Sequence, residues 1–313
     1  MLWQLEEEFM KFIGTIATLL GIGIASIGNV SQAQDVDFEQ VEIETIPVAE
    51  NIYMLTGEGG NIGVATGEDG VLLIDDQYAP LTDKIKAAVD AIATEPIRYL
   101  LNTHWHFDHT GGNENLGNSG VVIVAHDEVY ERMSTEQFIE AFERSVPPSP
   151  PEALPKITYN DTATFHLNGQ TIQGFHVESA HTDGDTVIHF PEADVIHTGD
   201  VYFNGIYPFI DTSSGGSIAG MIRATEQVLA LAGNNTKIIP GHGPLSNRTE
   251  LEAYRQMLVE VKTKTEDAIA QGLTLEEFIA SKPTAEYDDT LGKGFLTPEQ
   301  FLTIVYQSLA ENS

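Results

Sequence analysis

The stretch Thr103-His104-Trp105-His106-Phe107-Asp108-His109-Thr110-Gly111-Gly112 groups three histidines and one aspartate within six residues. It closely follows an apolar, strand-like run, Ile97 to Leu101. Imidazole nitrogens and carboxylate oxygens are ligands that a borderline divalent cation such as zinc accepts. Where a strand ends, the chain curls into a loop, so successive side chains can converge instead of alternating between faces. The stretch therefore predicts a metal site, and a chance histidine cluster on a solvated loop is the weaker interpretation.

The composition limits both the ligands and the partners. The 313-residue chain contains no cysteine, so every protein ligand to a metal must be His, Asp or Glu. Hydrophobic residues make up 42% of the chain, which fits a globular core. A net charge of -32 disfavours nucleic acid and anionic membranes as partners. We therefore expect a small-molecule substrate, no nucleic-acid partner and no nuclease activity, and the composition leaves the oligomeric state open.

The N-terminus has the features of a secretory signal. Residues Phe12 to Ile27 are apolar and follow Lys11, and Ser31-Gln32-Ala33 places small residues where a signal peptidase cleaves. These features predict a signal peptide over residues 1–33, with translation starting at Met10, and a secreted or periplasmic protein without stable membrane association after cleavage. The alternative is an uncleaved anchor helix, for which the apolar run is short.

The arrangement His104-x-His106-x-Asp108-His109 resembles the metal-binding motif of the metallo-β-lactamase superfamily. The resemblance covers roughly residues 45 to 250. It implies an α/β fold, an αββα sandwich of two mixed β-sheets flanked by helices, with the metals along one edge. The predicted organisation is a metallo-β-lactamase-like domain over residues 34–250 and a C-terminal helical extension, residues 251–313, packed on that domain.

Three later positions match the remaining ligands of that family. His181 lies in a turn between two strand patterns, Asp200 ends the strand that begins at Val195, and His242 follows the short apolar strand at Ile238. The resemblance implies two Zn²⁺ ions per chain. The first would be held by His104, His106 and His181, the second by Asp108, His109 and His242, with Asp200 bridging both. Asp75, after the strand Val71 to Ile74, either supports the metal loop by hydrogen bonds or is an ordinary turn residue.

Such a site implies hydrolysis. A bound metal lowers the pKa of water, so that hydroxide can attack a carbonyl carbon at neutral pH. Asp108 would orient the nucleophile. Tyr202 or Tyr207 would donate a hydrogen bond to the developing oxyanion, unless both tyrosines only pack in the interior.

The substrate class stays open between two branches of the family. The absence of cysteine excludes the β-lactamases with a cysteine ligand, but β-lactam hydrolysis by the all-histidine branch is plausible. Asp200 instead favours a lactonase, esterase or thioesterase of the glyoxalase II type. Residues 182 to 222 contain no Lys or Arg, so hydroxyl groups would have to hold a β-lactam carboxylate. The candidates are Tyr202, Tyr207, Thr212, Ser213, Ser214 and Ser217.

Two further alternatives belong to other classes of protein. An iron oxygenase of the same fold would need only His104, His181 and Asp200, so the full ligand set disfavours it. A metal-stabilised binding protein would gain stability from the metal without showing turnover.

The remaining patterns predict how the chain frames this site. A helix is expected over Pro80 to Ile92, and residues 126 to 157 are expected to form a helix followed by a Pro-rich surface segment. The turn Gly57 to Asn61 is either a flexible cover for the site or a simple hairpin tip. His126, His166 and His176 are expected to be ordinary surface or core histidines. The tail predicts helices at Glu250 to Ala270, Leu275 to Ala280 and Pro298 to Leu309.

Overall fold

A computed structural model describes residues 36–310, so the predicted signal peptide and the start at Met10 lie outside the described residues. From Glu42 onward the described chain forms one compact unit. Among residues 36–310, every helix is too short or too polar to cross a membrane.

The first half of this unit consists of short apolar strands separated by tight turns, with helices between the later strands. In chain order the elements are β1 (Glu44–Ala49), β2 (Ile52–Thr56), β3 (Ile62–Ala65), β4 (Val71–Ile74), α1 (Thr82–Asp90), β5 (Ile97–Leu101), α2 (Phe107–Thr110), α3 (Asn113–Asn118), β6 (Val122–His126), α4 (Asp127–Ser134), β7 (Gln137–Ile139), β8 (Arg144–Val146) and β9 (Ile157–Tyr159).

The second half repeats the pattern and then becomes helical. Its elements are β10 (Thr162–Leu167), β11 (Gln170–His176), β12 (Thr186–Phe190), β13 (Val195–His197), α5 (Ile218–Leu231), β14 (Lys237–Ile239), β15 (Ser246–Asn247), α6 (Arg248–Ala270), α7 (Leu275–Ala280), α8 (Ala285–Leu291) and α9 (Pro298–Ala310).

Both large sheets are mixed. The first has the strand order β1-β2-β3-β4-β5-β6-β9, antiparallel up to β4 and parallel from β4 onward. The second has the order β10-β11-β12-β13-β14-β15, in which only β13 and β14 are parallel. β7 and β8 form a separate hairpin.

Two apolar cores hold the layers together. One lies between the sheets and joins Leu72 and Ile74 of the first sheet to Ile172 and Ile188 of the second. The other covers the outer side of the second sheet and includes the buried faces of α5, α6 and α9. Burial of such surface is the main favourable contribution to folding. The predicted αββα sandwich with two mixed sheets is confirmed.

The parallel strands determine where ligands gather. The carboxyl ends of β4 and β5 meet at one edge of the first sheet, and those of β13 and β14 meet at one edge of the second. The loops that follow these four strands carry Asp75, the metal motif, Asp200 and His242. Because the loops meet at one edge of the sandwich, distant parts of the chain contribute to a single site.

Some elements differ from the predictions. The segment over 126–157 contains the predicted helix as α4, but it also forms the hairpin β7–β8 and the strand β9. α8 was missed because its sequence, AEYDDTL, is acidic and buries no residue. The predicted domain boundary at residue 250 falls within α6, whose residues Leu251 and Leu258 are buried in the outer core. That boundary remains a prediction.

Candidate metal centre

The loop after β5 is held in a defined shape before it reaches the ligands. Asn102 and Asn113 are both buried and exchange two side-chain hydrogen bonds of 3.1 and 2.9 Å. Thr110 Oγ1 donates to the carbonyl oxygen of His106 at 3.1 Å, which closes the short helix α2. With the loop held in this shape, the side chains of His104, His106, Asp108 and His109 lie close together.

Three histidines form the first group of ligand atoms, which we call the histidine trio: His104, His106 and His181. Their ligand nitrogens lie within 4.8 Å of one another, and all three side chains are buried. Nε2 of His181 lies 2.8 Å from Nδ1 of His106. His181 comes from the β11–β12 turn of the second sheet, so the trio links the two halves of the sandwich.

A second group, the mixed trio, consists of Asp108, His109 and His242. Its ligand atoms also lie within 4.8 Å of one another. Nε2 of His242 is 3.3 Å from Nε2 of His109 and 3.3 Å from Oδ2 of Asp108. The side chains of His242 and Asp108 are 22% and 20% exposed, so this trio faces the solvent side of the site.

Asp200 lies between the two trios. Its Oδ2 is 3.8 Å from Nε2 of His104 and 3.5 Å from Nε2 of His181. Its Oδ1 is 3.1 Å from Nε2 of His109 and 3.4 Å from Nε2 of His242. Each carboxylate oxygen therefore faces one trio, which is the arrangement that a bridging ligand requires.

The donor set fits a pair of divalent cations. Within residues 36–310, Nε2 of His104 and Oδ1 of Asp200 are buried atoms without a hydrogen-bond partner. Burying an unsatisfied polar atom is unfavourable, and a coordinated metal ion would remove that cost at both positions. Gly241 keeps the space open, because a side chain there would collide with Oδ1 of Asp200. Nitrogen and oxygen donors in this number suit zinc, among other divalent ions.

Hydrogen bonds fix how four of the histidine rings are oriented. Nδ1 of His109 donates to Oδ2 of Asp75 at 2.8 Å. Thr103 Oγ1 donates to the same oxygen at 2.7 Å and lies 3.0 Å from Nδ1 of His104. Bonds of this kind fix the imidazole tautomer and direct the other nitrogen toward a metal. Asp75 therefore supports ligands of both trios.

The other two orienting groups come from the loop after residue 207. Nδ1 of His181 donates to the carbonyl oxygen of Phe209 at 2.8 Å, and Nε2 of His106 donates to Oδ2 of Asp211 at 3.0 Å. The contact of Asp211 with His106 was not predicted from the sequence. Its signal was weak, since Asp211-Thr212-Ser213-Ser214 is typical of a capped turn, and Asp211 does cap such a turn here.

Charges within the cluster shift its pKa values strongly. Burial by itself would raise the pKa of Asp200, but His109, His242 and His104 together hold it well below the usual value. Burial would lower the pKa of His242, yet Asp200 and Asp108 raise it to about 9. Burial lowers the pKa of His181 to about 4, so this ring stays neutral at neutral pH. Neutral imidazole and ionised carboxylate are the forms that bind metals.

Comparison with known proteins identifies the family of the chain. The sequence model of the metallo-beta-lactamase superfamily matches residues 55–268. The chain belongs to the metallo-beta-lactamase superfamily. Most members of this superfamily are hydrolases, and the buried histidine-rich groups of this chain could hold metal ions as they do in the family.

Relatives of the chain are named for different activities. The chain is 23% identical over 245 residues to the 2,4-dinitroanisole O-demethylase subunit alpha of Nocardioides sp. (strain JS1661), covering 75% of this chain and 68% of that protein. It is 21% identical over 252 residues to the metallo-beta-lactamase type 2 of Bacillus cereus, covering 75% of this chain and 93% of that protein.

A solved structure of a superfamily member shares the fold. The metallo-beta-lactamase from Pontibacter korlensis superposes with a TM-score of 0.56 at 18% identity, covering 69% of this chain and 99% of that chain. The architecture is therefore that of the metallo-beta-lactamase superfamily.

The hydroxyls of the two tyrosines predicted to assist this site bond to other parts of the fold. The hydroxyl of Tyr202 is 2.8 Å from Oγ of Ser246, and the hydroxyl of Tyr207 donates to Oδ1 of Asp288 in α8 at 2.8 Å. Both side chains are fully buried, so their hydroxyls are used in packing between the second sheet and the C-terminal helices. The predicted oxyanion role of Tyr202 or Tyr207 finds no support in this geometry.

The glycine-rich turn after β2 forms a wall of the candidate metal site and is held there by hydrogen bonds. Asn61 donates from its backbone to Gly241 O at 2.7 Å and from Nδ2 to Pro240 O at 2.9 Å. Gly60 lies so close to the ring of His109 that a side chain there would collide with it. The hairpin-tip interpretation is therefore the one the structure favours over a flexible cover.

Proposed function

We propose that the chain is a two-metal hydrolase that holds two zinc ions and cleaves an ester-like carbonyl bond. The observation that carries this proposal is the position of Asp200, whose two oxygens face different trios at 3.1 to 3.8 Å. A carboxylate shared in this way suits ions about 3.5–4 Å apart, the usual two-metal spacing.

The bound metals would supply a water of lowered pKa and an electrophile for the carbonyl oxygen. The remaining work belongs to the chain. The histidine trio is buried and oriented by hydrogen bonds, so it would keep its ligand atoms fixed through turnover. Asp108 lies on the open side of the site, where its carboxylate can accept a hydrogen bond from the attacking water and so orient it. In the overall reaction a C–O bond forms to water and the bond to the alcohol or thiol breaks, which yields an acid and that alcohol or thiol.

Lactones, esters and thioesters are the substrate class that this site fits best. Their hydrolysis needs no cation to hold a second carboxylate, and residues 182 to 222 contain no Lys or Arg. Three of the hydroxyls that could hold such a carboxylate already donate hydrogen bonds within the fold. Ser213 and Ser214 donate to Asp211, and Ser217 donates to the carbonyl oxygen of Ser179.

β-Lactam hydrolysis is the second candidate, and one observation favours it. The guanidinium of Arg144 lies 4.2 Å from the ring centroid of Phe107, beside the ligand Asp108. A cation at this position would attract the carboxylate of a β-lactam. No sequence pattern predicted this contact, because Arg144 belongs to the hairpin β7–β8, which was itself not predicted.

The test is turnover by the zinc-loaded protein with and without a chelator. We expect it to hydrolyse a lactone, a 4-nitrophenyl ester or a simple thioester faster than a chromogenic cephalosporin, and to lose activity when zinc is removed. Since the chain has no cysteine, thiol release from a thioester can be followed with a thiol reagent without background from the protein.

Three other outcomes are informative. A faster rate with the cephalosporin would favour the second candidate, and turnover that resists chelation would contradict the two-metal proposal. A protein that binds two ions, gains thermal stability and hydrolyses none of these compounds would be the metal-stabilised binding protein.

We also propose that the chain is exported, as its N-terminal segment predicts. Cell fractionation and mass measurement of the mature N-terminus would test export and cleavage after Ala33. Recovery of the full-length chain in the cytoplasm would contradict it.

A further inference from the structure

A row of phenylalanine rings leads from the surface to the histidine trio. The ring centroid of Phe295 lies 5.5 Å from that of Phe142, which lies 4.9 Å from that of Phe209. The ring of Phe209 stacks on His106 and meets His181 edge-on, both at 5.7 Å between centroids. Exposure falls along the row from 64% at Phe295 to 40% at Phe142 and 7% at Phe209.

The hairpin that carries Phe142 is attached to the metal site by polar contacts. The backbone N–H of Glu140 donates to Oγ of Ser213, which donates to the carboxylate of Asp211, the partner of His106. Arg132 joins the start of the hairpin to the loop of His181, because it donates to both Gln137 and Asp183. The hairpin is therefore a positioned part of the site.

Phe295 is positioned independently, by the C-terminal helices. It follows Gly294, where a side chain would collide with Ile206. Tyr207, next to Ile206, donates from its backbone to Leu291 O and stacks on Phe301 of α9 with centroids 4.6 Å apart. Two segments about 150 residues apart in sequence therefore present exposed phenylalanines that touch each other beside the metal ligands.

Two exposed aromatic rings that continue into a buried ring at a metal site indicate a ligand-binding surface. Contiguous exposed apolar side chains often mark interaction sites, and ligand pockets are mainly apolar with a few polar groups. The segment that carries Phe209 contains no Lys or Arg from residue 182 to 222. The three rings would therefore favour an uncharged apolar group, and the cation Arg144 of the hairpin that carries Phe142 lies apart from them in contact with Phe107.

We propose that Phe142, Phe209 and Phe295 form the binding wall for an uncharged aryl or alkyl group on the acyl side of the substrate. This inference rests on the proposed hydrolase function and narrows its substrate class. The apolar group would lie along Phe142 and Phe295, which would place the carbonyl at the open side of the trios. Phe142 and Phe295 are then specificity-determining residues, since they touch the substrate away from the reacting atoms.

The test compares the ethyl thioesters of acetic acid and phenylacetic acid, which share one leaving group. We expect the zinc-loaded wild type to prefer the phenylacetyl compound in kcat/KM by about tenfold, the usual scale for an added apolar group in a fitted pocket. The double variant Phe142→Ala, Phe295→Ala should lose this preference, mainly through a higher KM for the phenylacetyl compound. Phe138→Ala is the matched control, because Phe138 is exposed on the same hairpin but does not join the row of rings.

A binding measurement separates this inference from the proposed function. Saturation-transfer NMR on the metal-free protein should show phenylacetamide in contact with the wild type and with Phe138→Ala, and a much weaker signal with the double variant. If the loaded wild type hydrolyses no thioester while this pattern holds, the proposed function fails and the binding wall stands.

Two results would overturn the inference. One is a double variant that keeps the wild-type preference for the phenylacetyl compound. If no thioester is hydrolysed, the corresponding result is a double variant that keeps the wild-type NMR signal of phenylacetamide. The other is a wild-type dimer that the double variant converts to a monomer in sedimentation experiments, because the rings would then form an interface between two copies of the chain.

Discussion

The two trios use similar ligands but differ in their surroundings. All three side chains of the histidine trio are buried, and two of them are oriented by groups on the 207–211 loop. In the mixed trio only His109 is fully buried, while Asp108 and His242 are partly exposed. A buried, oriented ligand set loses less entropy on binding an ion and admits less competing water. We therefore expect the histidine trio to hold its ion more tightly and the mixed trio to face the substrate.

The largest expected effect comes from removing one ligand from each trio. His106→Ala should reduce turnover by more than about 10³-fold, since such groups act as a unit, and should lower the metal content of the purified protein. His242→Ala should also lose activity but retain about one ion per chain, because the buried trio stays intact.

Elemental analysis after dialysis, together with steady-state rates, measures both effects. If His106→Ala kept its ion and His242→Ala lost both, the order of affinity inferred from burial would be reversed. Full activity in either variant would remove that residue from the site.

A smaller effect is expected from the carboxylates that orient the rings. Asp211→Asn should weaken binding at the histidine trio more than at the mixed trio, whereas Asp75→Asn should weaken both directly, because Asp75 contacts His109 and Thr103. Losing such a partner typically costs 10–100-fold in metal affinity.

Competition with a chromogenic zinc chelator measures the two binding steps in each variant. Thermal unfolding of the metal-free proteins is the control for general destabilisation. Equal weakening of both steps in Asp211→Asn would contradict the separation of the trios.

The smallest expected effect is at Tyr207, which lies outside both trios. Tyr207→Phe removes the hydrogen bond to Asp288 and should lower the free energy of unfolding by about 1 kcal/mol, as for one buried hydrogen bond. Its turnover should stay within about twofold of wild type, because no step of the proposed reaction uses this hydroxyl. Urea unfolding and steady-state rates measure the two quantities. A large loss of rate with unchanged stability would restore Tyr207 to the catalytic site.

The ligand positions could be predicted because each follows an apolar strand and has glycine or another small residue nearby. Strand ends gather polar residues at one edge of the fold, so the motif at His104 and the isolated His242 were both visible in the sequence. The family resemblance supplied their grouping into two metal sites. The structure brings all seven predicted ligands together, and their binding of metal remains a prediction.

The features that were missed depend on contacts between distant segments. Asp211 supports His106 across 105 positions in the chain, and no local pattern distinguishes it from a turn cap. The hairpin β7–β8 consists of two three-residue strands, too short for an alternating pattern to appear. Tyr202 and Tyr207 were proposed because they are hydroxyl-bearing residues of the loop 182–222. The hydroxyl of Tyr202 instead meets Ser246 of β15, and that of Tyr207 meets Asp288 of α8, contacts that no local pattern predicts.

The shared position of Asp200 has a consequence for how the centre fills. One carboxylate serves both trios, so an ion bound at one trio changes the charge and orientation that the other trio meets. Two sites coupled in this way influence each other equally, whichever fills first. Zinc titrations should therefore show two linked binding steps. The fraction of protein that holds both ions should follow the free zinc concentration along a curve that two independent sites cannot fit.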